Sequence, residues 1–392
     1  MDKNMTDNKF FMGFWNYTRI GVLDAEEAAS DWKELGMNLA MSSYLKRGGD
    51  KKLMLAQLDA AHKNGIKVIV CDERTAWNNL ENGEEAFVKD VETAIEDFGN
   101  HPAFYAFFIG DEPPRRELER AIRASQIVNQ RSKAFLNFLP MGDEPFVSDF
   151  LLKDKYEYED VLVDSMKRSG LSAVCYDNYS QCYIHKKEYG LNLYFDNLRV
   201  YRNVALRCGC DFWTTLLSVA HWSYRNLTED DIRWQISTAV AHGAKGLLWF
   251  FLYTRDKIED NYRNAPFDWF YHKTPLFDVL ARQNCLFMKF FAQRLAKANL
   301  ENVYHYNKAY GGMPLYKPGD IEGLEFCSEY GYNYIISEFT SPEGDFLLVV
   351  NNMQGAEESD KAFGTWQGKP FSEWLAPGQM VILEKSKTVE DV

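Results

Sequence analysis

The sequence predicts an α/β protein: a closed ring of parallel strands with surrounding helices, (β/α)8, followed by a small antiparallel β domain. The chain has 392 residues, enough for one large domain and one small one. Over residues 1–300, short apolar runs alternate with longer amphipathic runs, as strands and helices do in a βα repeat. From residue 301 onward, the chain shows runs in which apolar and polar residues alternate.

Eight short apolar runs are the strand candidates. They span residues 10–17, 37–45, 66–73, 104–112, 133–140, 171–179, 211–220 and 246–254. Their near-continuous apolar character favours parallel strands covered by helices. Eight such units in about 300 residues match the size and count of a TIM barrel. A doubly wound open sheet is the alternative, but it usually has fewer units, and the Gly-rich turn that often follows its first strand is missing here.

The amphipathic runs between these strands are the helix candidates. Several begin at an Asp or a Thr and close on a Gly, which are the usual signals for the start and the end of a helix. They span residues 24–36, 51–65, 82–100, 115–130, 193–209, 228–243 and 274–300. Each follows a strand candidate, so the order of the elements also favours the barrel.

Residues 301–392 predict a β-sandwich-like domain. Period-2 runs cover residues 332–340, 345–353 and 374–385, and the last of these contains a Pro377-Gly378 turn. We expect this domain to pack against the barrel and to cover apolar surface there.

Composition excludes several classes of partner. The formal net charge is −13 and no block of Lys and Arg stands out, so we expect no binding to nucleic acid. No apolar run approaches the ~20 residues that span a bilayer, so we expect no membrane partner. The polar N-terminus lacks the apolar core of a signal peptide, which predicts a cytoplasmic protein unless a signal has been removed. A homo-oligomer stays open, because barrels of this kind often associate.

Cofactor signals are missing from the sequence. The His and Cys residues show no HExxH or CxxC spacing, so we expect no metal site. Walker, GxGxxG and GxSxG motifs are missing as well. A lyase or an aldolase on the same barrel would need a strand-end Lys or a metal cluster, and neither is evident. We therefore expect an enzyme that works without a cofactor.

The predicted strand ends gather acids, amides and aromatic residues. In a TIM barrel the active site lies where the strands end and the loops to the helices begin. The candidate substrate-binding residues at these ends are Trp15, Asn16, Tyr44, Asp72, Tyr179, His221 and Trp249. Aromatic faces stack on sugar rings, and Asn and Asp bind hydroxyl groups, so this composition favours a carbohydrate substrate.

Asp111 and Glu112 are the main catalytic candidates. They end an aromatic strand run, and two prolines and a charged helix follow them. A strand that turns into a helix also favours acidic residues, because the helix dipole stabilises carboxylates. At the end of the fourth barrel strand we favour the catalytic role. The same Gly-Asp-Glu-Pro tetrapeptide recurs at residues 142–145, which we interpret as a peripheral loop.

Asp177 is the third catalytic candidate, because it ends the sixth strand run. A strand-end Asp that binds loop amides is the structural alternative. For Asp72, a salt bridge with Arg74 is a sufficient structural explanation. For His221, a polar loop position is slightly favoured over a hydrogen bond to a sugar hydroxyl.

Four aromatic residues are candidate stacking platforms. Trp249 and Trp15 are the first choices, ahead of Tyr179 and Trp222. Aromatic residues of a barrel are more often part of its core, which is the alternative for all four.

Four segments in fixed order carry a family resemblance. They are FFIGDEPP (107–114), LNFLP (136–140), CYDNY (175–179) and RWQISTAVAHGAKGLLWF (233–250). Together they resemble the TIM-barrel glycoside hydrolases of the broad β-galactosidase-like retaining clan. In particular, they are similar to uncharacterised bacterial members that are described as glycosyl hydrolases. The resemblance covers roughly residues 10–300.

The resemblance implies that Glu112 is the general acid/base. An aromatic pocket and the neighbouring Asp111 would raise its pKa, as an acid at neutral pH requires. The clan's nucleophile is a Glu on strand seven, whereas the run 211–220 has no carboxylate after Asp211. Three alternatives stay open: Asp177 is the second carboxylate; Asp111 orients a 2-acetamido group of the substrate, as in hexosaminidases; or the chain is a non-catalytic carbohydrate-binding barrel.

Overall fold

The computed structural model describes residues 9–184, 187–255, 257–354 and 358–385. Most of the polar N-terminal segment that predicts a cytoplasmic location lies outside these residues, as do the last residues of the predicted C-terminal domain. Within the described ranges, no helix has the length and apolar character needed to cross a membrane.

Eight parallel strands form a barrel, which confirms the predicted TIM-barrel fold. In chain order the strands up to residue 250 are β1 Phe11–Phe14, β2 Leu39–Met41, β3 Lys67–Val70, β4 Phe104–Asp111, β5 Ala134–Phe138, β6 Ala173–Asp177, β7 Cys182–Ile184, β8 Lys187–Tyr189, β9 Asp211–Leu217 and β10 Gly246–Phe250. The barrel order is β1-β10-β9-β6-β5-β4-β3-β2, and β7 and β8 form a separate hairpin. The ring closes where the Asn38 amide N–H donates to the Met12 carbonyl at 3.0 Å. All eight barrel strands lie inside the predicted runs.

Helices follow the barrel strands on the outside. They are α1 Ala25–Glu34, α2 Lys51–Lys63, α3 Glu84–Ala94, α4 Arg115–Asn129, α5 Glu144–Asp149, α6 Glu157–Ser169, α7 Leu191–Cys208, α8 Glu229–Ala241, α9 Pro275–Phe290 and α10 Ala292–Lys297. Two helices after β5 were not predicted, although Gly170 ends α6 in the left-handed conformation typical of a helix stop. The tetrapeptide at 142–145, predicted as a loop, contains the start of α5 at Glu144.

Aromatic rings fill the interior of the barrel. The Trp213 ring lies 5.2 Å from Phe11 and 5.9 Å from Phe135, and it stacks on Tyr105 at 5.8 Å. Gly246 leaves room for this ring, because a Cβ there would lie 2.4 Å from an atom of Trp213. These packed rings fill the interior of the barrel, so a ligand can bind only beyond the strand ends.

Two antiparallel sheets make up the C-terminal region, as predicted. Its strands are β11 Asn299–Tyr306, β12 Leu324–Ser328, β13 Tyr334–Thr340, β14 Phe346–Asn351, β15 Asp360–Trp366, β16 Lys369–Leu375 and β17 Met380–Glu384. The sheet orders are β11-β13-β14-β17 and β12-β15-β16, with a small apolar core between the sheets. The region packs on α8, where the Trp234 indole N–H donates to Asn352 Oδ1 at 2.9 Å. The division of the chain at residues 300 and 301 stays a prediction; β11 begins at Asn299.

Candidate active site

Three barrel strands bring Asp111, Asn137 and Asp177 together at their carboxyl ends. Asp111 ends β4 and Asp177 ends β6, and β5 runs between these two strands. The side-chain amide of Asn137 on β5 donates to Asp111 Oδ1 at 3.0 Å and to Asp177 Oδ1 at 2.9 Å. Asn137 is fully buried, so this amide holds the two carboxyl groups in fixed positions on either side of it.

A β-bulge re-aims the end of β4. The register with β5 shifts between Phe108 and Gly110. The Trp77 ring packs directly on Gly110, where a Cβ would lie 2.0 Å from a ring atom, so a larger residue does not fit. Glu112 has a φ of +47°, and its N–H donates to the Asn137 carbonyl at 3.0 Å. Bulges and left-handed non-Gly residues are frequent at functional sites, because there they direct side chains that regular strands would send elsewhere.

The Glu112 and Asp177 carboxyl groups lie within hydrogen-bonding distance of each other. Two carboxyl groups at such a distance share one proton, because both cannot be ionised there. Burial, followed by the charges of Asp177 and Asp111, raises the pKa of Glu112 to about 9. Burial also raises the pKa of Asp177, against the hydrogen bonds from Asn137 and Glu112 that lower it. Glu112 is therefore the protonated partner at neutral pH.

Asp111 faces the open end of the barrel. Its side chain is exposed to solvent although protein atoms crowd around it, as expected for a group in a cleft. Burial and the Asp177 charge raise the pKa of Asp111 to about 7, while Asn137 and the Arg255 guanidinium lower it. Asp111 is thus the more readily ionised of the two carboxyl groups that end β4.

Tyr17 and Tyr179 flank the carboxyl groups. Burial and the Asp111 charge raise the pKa of Tyr17, which places its hydroxyl near Asp111. The Arg255 guanidinium lies 4.1 Å from the centre of the Tyr17 ring. The Tyr179 hydroxyl is buried near Asp177, but in the described chain it has no well-aligned hydrogen-bond partner. Phenol groups in such positions can bind sugar hydroxyls.

Asp72, Asn16 and Tyr44 lie at neighbouring strand ends, where they contact other parts of the protein. Asp72 is buried and accepts hydrogen bonds from the Arg74 guanidinium, the closest at 2.6 Å from Nη2. Asn16 Oδ1 accepts from the N–H and the hydroxyl of Thr18. Burial and the charges of Glu73 and Asp72 raise the pKa of Tyr44 to about 12, so the Tyr44 hydroxyl lies near these two carboxylates. None of these contacts tests ligand binding, and the binding roles stay predictions.

The two aromatic residues predicted first as stacking platforms, Trp15 and Trp249, are both buried. Trp15 is buried, stacks on Tyr17 and donates to Thr215 Oγ1 at 3.0 Å. Trp249 is fully buried, and its indole N–H donates to Asn284 of α9, on the helix side of the barrel. Neither placement favours stacking on a ligand.

His221 and Trp222 follow β9 and differ strongly in exposure. His221 is buried, and burial lowers its pKa, so the ring is neutral at pH 7. Trp222 is 63% exposed.

Four residues of the site were absent from the predicted set: Tyr17, Trp77, Asn137 and Arg255. Asn137 carried a signal, because an amide inside an apolar strand run must find hydrogen bonds when it is buried. Tyr17 is the last residue of the first strand run, residues 10–17. Trp77 begins a short 3-10 helix after β3, and Arg255 lies in the loop after β10; in neither place does periodicity predict the direction of a side chain.

The end of β9 provides no acid. Thr215 accepts from Trp15, and the Ser218 hydroxyl donates to the Phe251 carbonyl at 2.9 Å. A search of the described residues found no group of three His, Cys, Asp or Glu side chains placed to hold a metal ion. The carboxyl groups that the structure brings together at this end of the barrel are those of Asp111, Glu112 and Asp177.

Comparisons with known proteins identify the fold. No family model and no curated protein matches the sequence. A β-galactosidase from Bacillus circulans sp. alkalophilus has a TM-score of 0.56 at 12% identity, over 76% of this chain and 58% of that chain. A β-galactosidase from Marinomonas ef1 has a TM-score of 0.53 at 11% identity, over 70% of this chain and 59% of that chain. A GH5_18 protein from Bifidobacterium longum subsp. longum, solved in complex with Manβ1-4GlcNAc, has a TM-score of 0.52 at 12% identity, over 71% and 79%.

These similarities concern the fold. The matched part spans less than two thirds of both β-galactosidases. At identities of 11–12%, the shared barrel does not transfer an activity.

Proposed function

We propose that this protein is a glycoside hydrolase in which Glu112 protonates the leaving oxygen of the glycosidic bond. One observation carries the proposal: the Glu112 carboxyl group lies beside those of Asp177 and Asp111 at the carboxyl ends of the barrel strands, an environment that favours its protonated form. Burial and two neighbouring carboxyl groups raise its pKa to about 9. Glycosidases pair such an acid with a second carboxylate.

Asp111 is the better candidate for that second carboxylate. Retaining pairs are separated by about 5–5.5 Å and inverting pairs by about 6.5–9.5 Å. Glu112 and Asp177 are in hydrogen-bonding contact, which leaves no room between them for an anomeric carbon or a water molecule. Asp177 then holds Glu112 in place and keeps it protonated. Asp111, exposed to the cleft and positioned by Asn137, can face the substrate.

Asp111 can act in two ways. It can attack or stabilise the anomeric carbon itself, as the second carboxylate of a retaining enzyme does. Alternatively, it can orient a 2-acetamido group of the substrate, which then acts as the nucleophile. The lack of an acid at the end of β9 makes an alternative nucleophile necessary. The surroundings suit a sugar, because the hydroxyl groups of Tyr17 and Tyr179 lie near the carboxyl groups.

A panel of aryl glycosides tests the proposal. Wild-type protein should release the aryl group from at least one hexoside or 2-acetamido-hexoside, and Glu112→Gln should lose that activity. Cleavage restricted to 2-acetamido sugars supports the role of Asp111 in orienting the acetamido group. Cleavage of plain hexosides instead supports direct participation of a carboxylate. Activity that survives in Glu112→Gln removes Glu112 from its role.

A non-catalytic carbohydrate-binding barrel is the second candidate function. The observation that favours it is the end of β9, where Thr215, Leu217 and Ser218 stand in place of an acid. Such a protein would bind oligosaccharides without releasing product, so calorimetric titration beside the hydrolysis assay separates the two functions.

A further inference from the structure

Trp222 is a large apolar side chain that the fold holds out in solvent. It lies just beyond the end of β9, is 63% exposed and adopts a φ of +43°. An exposed indole exposes apolar surface to water, and a left-handed backbone at a non-Gly residue adds strain. The fold keeps both features, although both are unfavourable for its stability.

Asp260 fixes the position of Trp222. The Trp222 N–H donates to the Asp260 carbonyl at 3.3 Å, and the indole N–H donates to Asp260 Oδ1 at 3.2 Å. Ala220 and Arg263 exchange backbone hydrogen bonds of 3.0 and 2.8 Å, which ties the two loops together. Lys257 pairs with Asp260 at 3.1 Å. The ring is therefore ordered before any ligand binds, so binding would not have to pay for ordering it.

A continuous set of rings leads from Trp222 to the carboxyl groups. The His221 ring lies 5.1 Å from Trp222 and 4.8 Å from Tyr224. Tyr224 in turn contacts Tyr179 at 5.4 Å, and Tyr179 lies beside Asp177. Trp222 and the carboxyl groups are thus two ends of one aromatic wall, which we call the aromatic rim (Tyr179, His221, Trp222 and Tyr224).

We propose that Trp222 is a stacking subsite for a sugar unit next to the unit that is cleaved, so that the substrate is an oligosaccharide. This inference rests on the proposed function for its catalytic end. The faces of an indole match the CH face of a pyranose ring. The indole N–H bonds Asp260, which pairs with Lys257, and the Arg263 guanidinium donates to the carbonyl of Tyr224 in the same rim. These polar groups suit a sugar with an apolar face and polar edges better than an apolar protein surface.

Trp222→Ala is the central variant, with Trp374→Ala as its matched control. Trp374 lies on β16 of the C-terminal region and is 56% exposed. Its replacement by Ala removes a similarly exposed indole and leaves the aromatic rim intact. Disaccharides and longer members of the cello-, manno- and galacto-oligosaccharide series serve as probes. Trp222→Ala should raise KM for the longer probes by roughly fivefold. Trp222→Phe should restore most of this loss, and Trp374→Ala should leave KM and kcat unchanged on every probe.

Asp260→Ala tests the anchoring of the ring. This variant keeps the indole but frees it, so KM for the longer probes should rise in the same direction, by less than in Trp222→Ala. Equal KM values for wild type and Trp222→Ala on every oligosaccharide that is cleaved would overturn the subsite.

Binding to the Glu112→Gln variant separates this inference from the proposed function. Titration calorimetry with the same oligosaccharides should show weaker binding when Trp222→Ala is added to Glu112→Gln. If the wild type hydrolyses nothing but this difference in binding is present, the hydrolase proposal fails and the stacking subsite stands. If hydrolysis is present and the difference is not, the subsite fails and the hydrolase proposal stands.

Discussion

Two Asp-Glu pairs end neighbouring strands of the barrel, and they have opposite surroundings. Asp72-Glu73 follows β3, and Asp111-Glu112 ends β4. In the first pair Asp72 is buried against Arg74, and the Arg47 N–H donates to Glu73 at 2.7 Å.

The second pair lies beside a third carboxyl group, that of Asp177. The same dipeptide thus forms a salt-bridged loop at one strand end and a set of proton-sharing acids at the next. The difference lies in the counter-charge. Arg74 is two residues from Asp72 and also pairs with Asp97 at 2.8 Å. The charge of Asp72 is therefore neutralised by a residue close to it in the chain. Around Glu112 burial is combined with like charges, and this combination raises the pKa of a carboxyl group.

The largest expected contrast is catalytic. Glu112→Gln should lower kcat/KM on the best aryl glycoside by about 10²–10⁴-fold, because it removes the proton that the leaving group needs. Glu73→Gln changes the corresponding residue of the other pair and should leave kcat/KM within about twofold, since no proton transfer depends on it. Steady-state kinetics of both variants decide the matter, and an equal loss in both would remove the distinction between the pairs.

The next contrast concerns stability, and here the Asp72-Glu73 pair should be the more sensitive of the two. Asp72→Asn should lower the free energy of unfolding by about 2–3 kcal/mol, because it leaves the half-buried Arg74 with Asp97 as its remaining partner. Asp111→Asn removes one of three mutually repelling carboxyl groups and should cost less than about 0.5 kcal/mol. Denaturant unfolding of the two variants gives both values. A larger loss for Asp111→Asn would show that the β4 pair also has a structural role.

A further contrast is a gain in stability from removing the Glu112 carboxyl group. The pKa of Glu112 is raised in the folded state from its ordinary 4.5 to about 9, so the folded protein binds this proton more tightly than the unfolded chain. The resulting stability is fully present below pH 4.5 and is lost as the pH rises towards 9. Glu112→Gln cannot ionise, so at pH 7 it should be more stable than wild type by up to about 3 kcal/mol, at about 1.36 kcal/mol for each pH unit above 4.5.

Unfolding at several pH values tests the sign of this effect. The advantage of Glu112→Gln should vanish near pH 4 and increase towards pH 9. Glu73→Gln should show no such pH-dependent gain. A stability difference for Glu112→Gln that does not change with pH would mean that the side chain acts through packing.

Sequence periodicity predicted all eight strands but not the direction of their aromatic side chains. Both faces of a parallel barrel strand are buried, so apolar residues occupy every position and no polar alternation marks the inner face. For this reason the sequence predicts both Trp15 and Trp249 as stacking platforms at strand ends. In the structure Trp15 packs inside the barrel and Trp249 bonds Asn284 of an outer helix. Trp222, ranked behind both, is the exposed ring.

The acids were easier to predict than the groups that control them. Asp111, Glu112 and Asp177 each end a clear strand run, and parallel strands bring such ends to one side. Whether two carboxyl groups touch depends on the β4 bulge and on the φ of Glu112, and neither leaves a distinct mark in the sequence. Asn137 could have been recognised as a buried amide that needs partners, but its two acceptors could be identified only from the register of three strands.

The finest contrast separates the two neighbours of Glu112. After burial, Asp177 is the larger cause of the raised pKa of Glu112, ahead of Asp111. Asp177→Asn should therefore move the alkaline limb of the pH–activity profile down by about one unit, because the remaining amide can donate to ionised Glu112. Asp111→Asn should instead lower kcat/KM by about 10³-fold or more at every pH, because it removes the proposed second carboxylate.

The plateau of the same profile tests how Asp177 acts. If Asp177 holds and tunes Glu112, Asp177→Asn loses at most about tenfold in kcat/KM on the acid side of the limb, where Glu112 stays protonated. If Asp177 is itself the nucleophile, activity falls by about 10³-fold or more at every pH and no shifted limb can be measured. Glu73→Gln, measured beside them, should keep both the plateau and the limb of the wild type, because its carboxylate contacts none of the groups that share the proton.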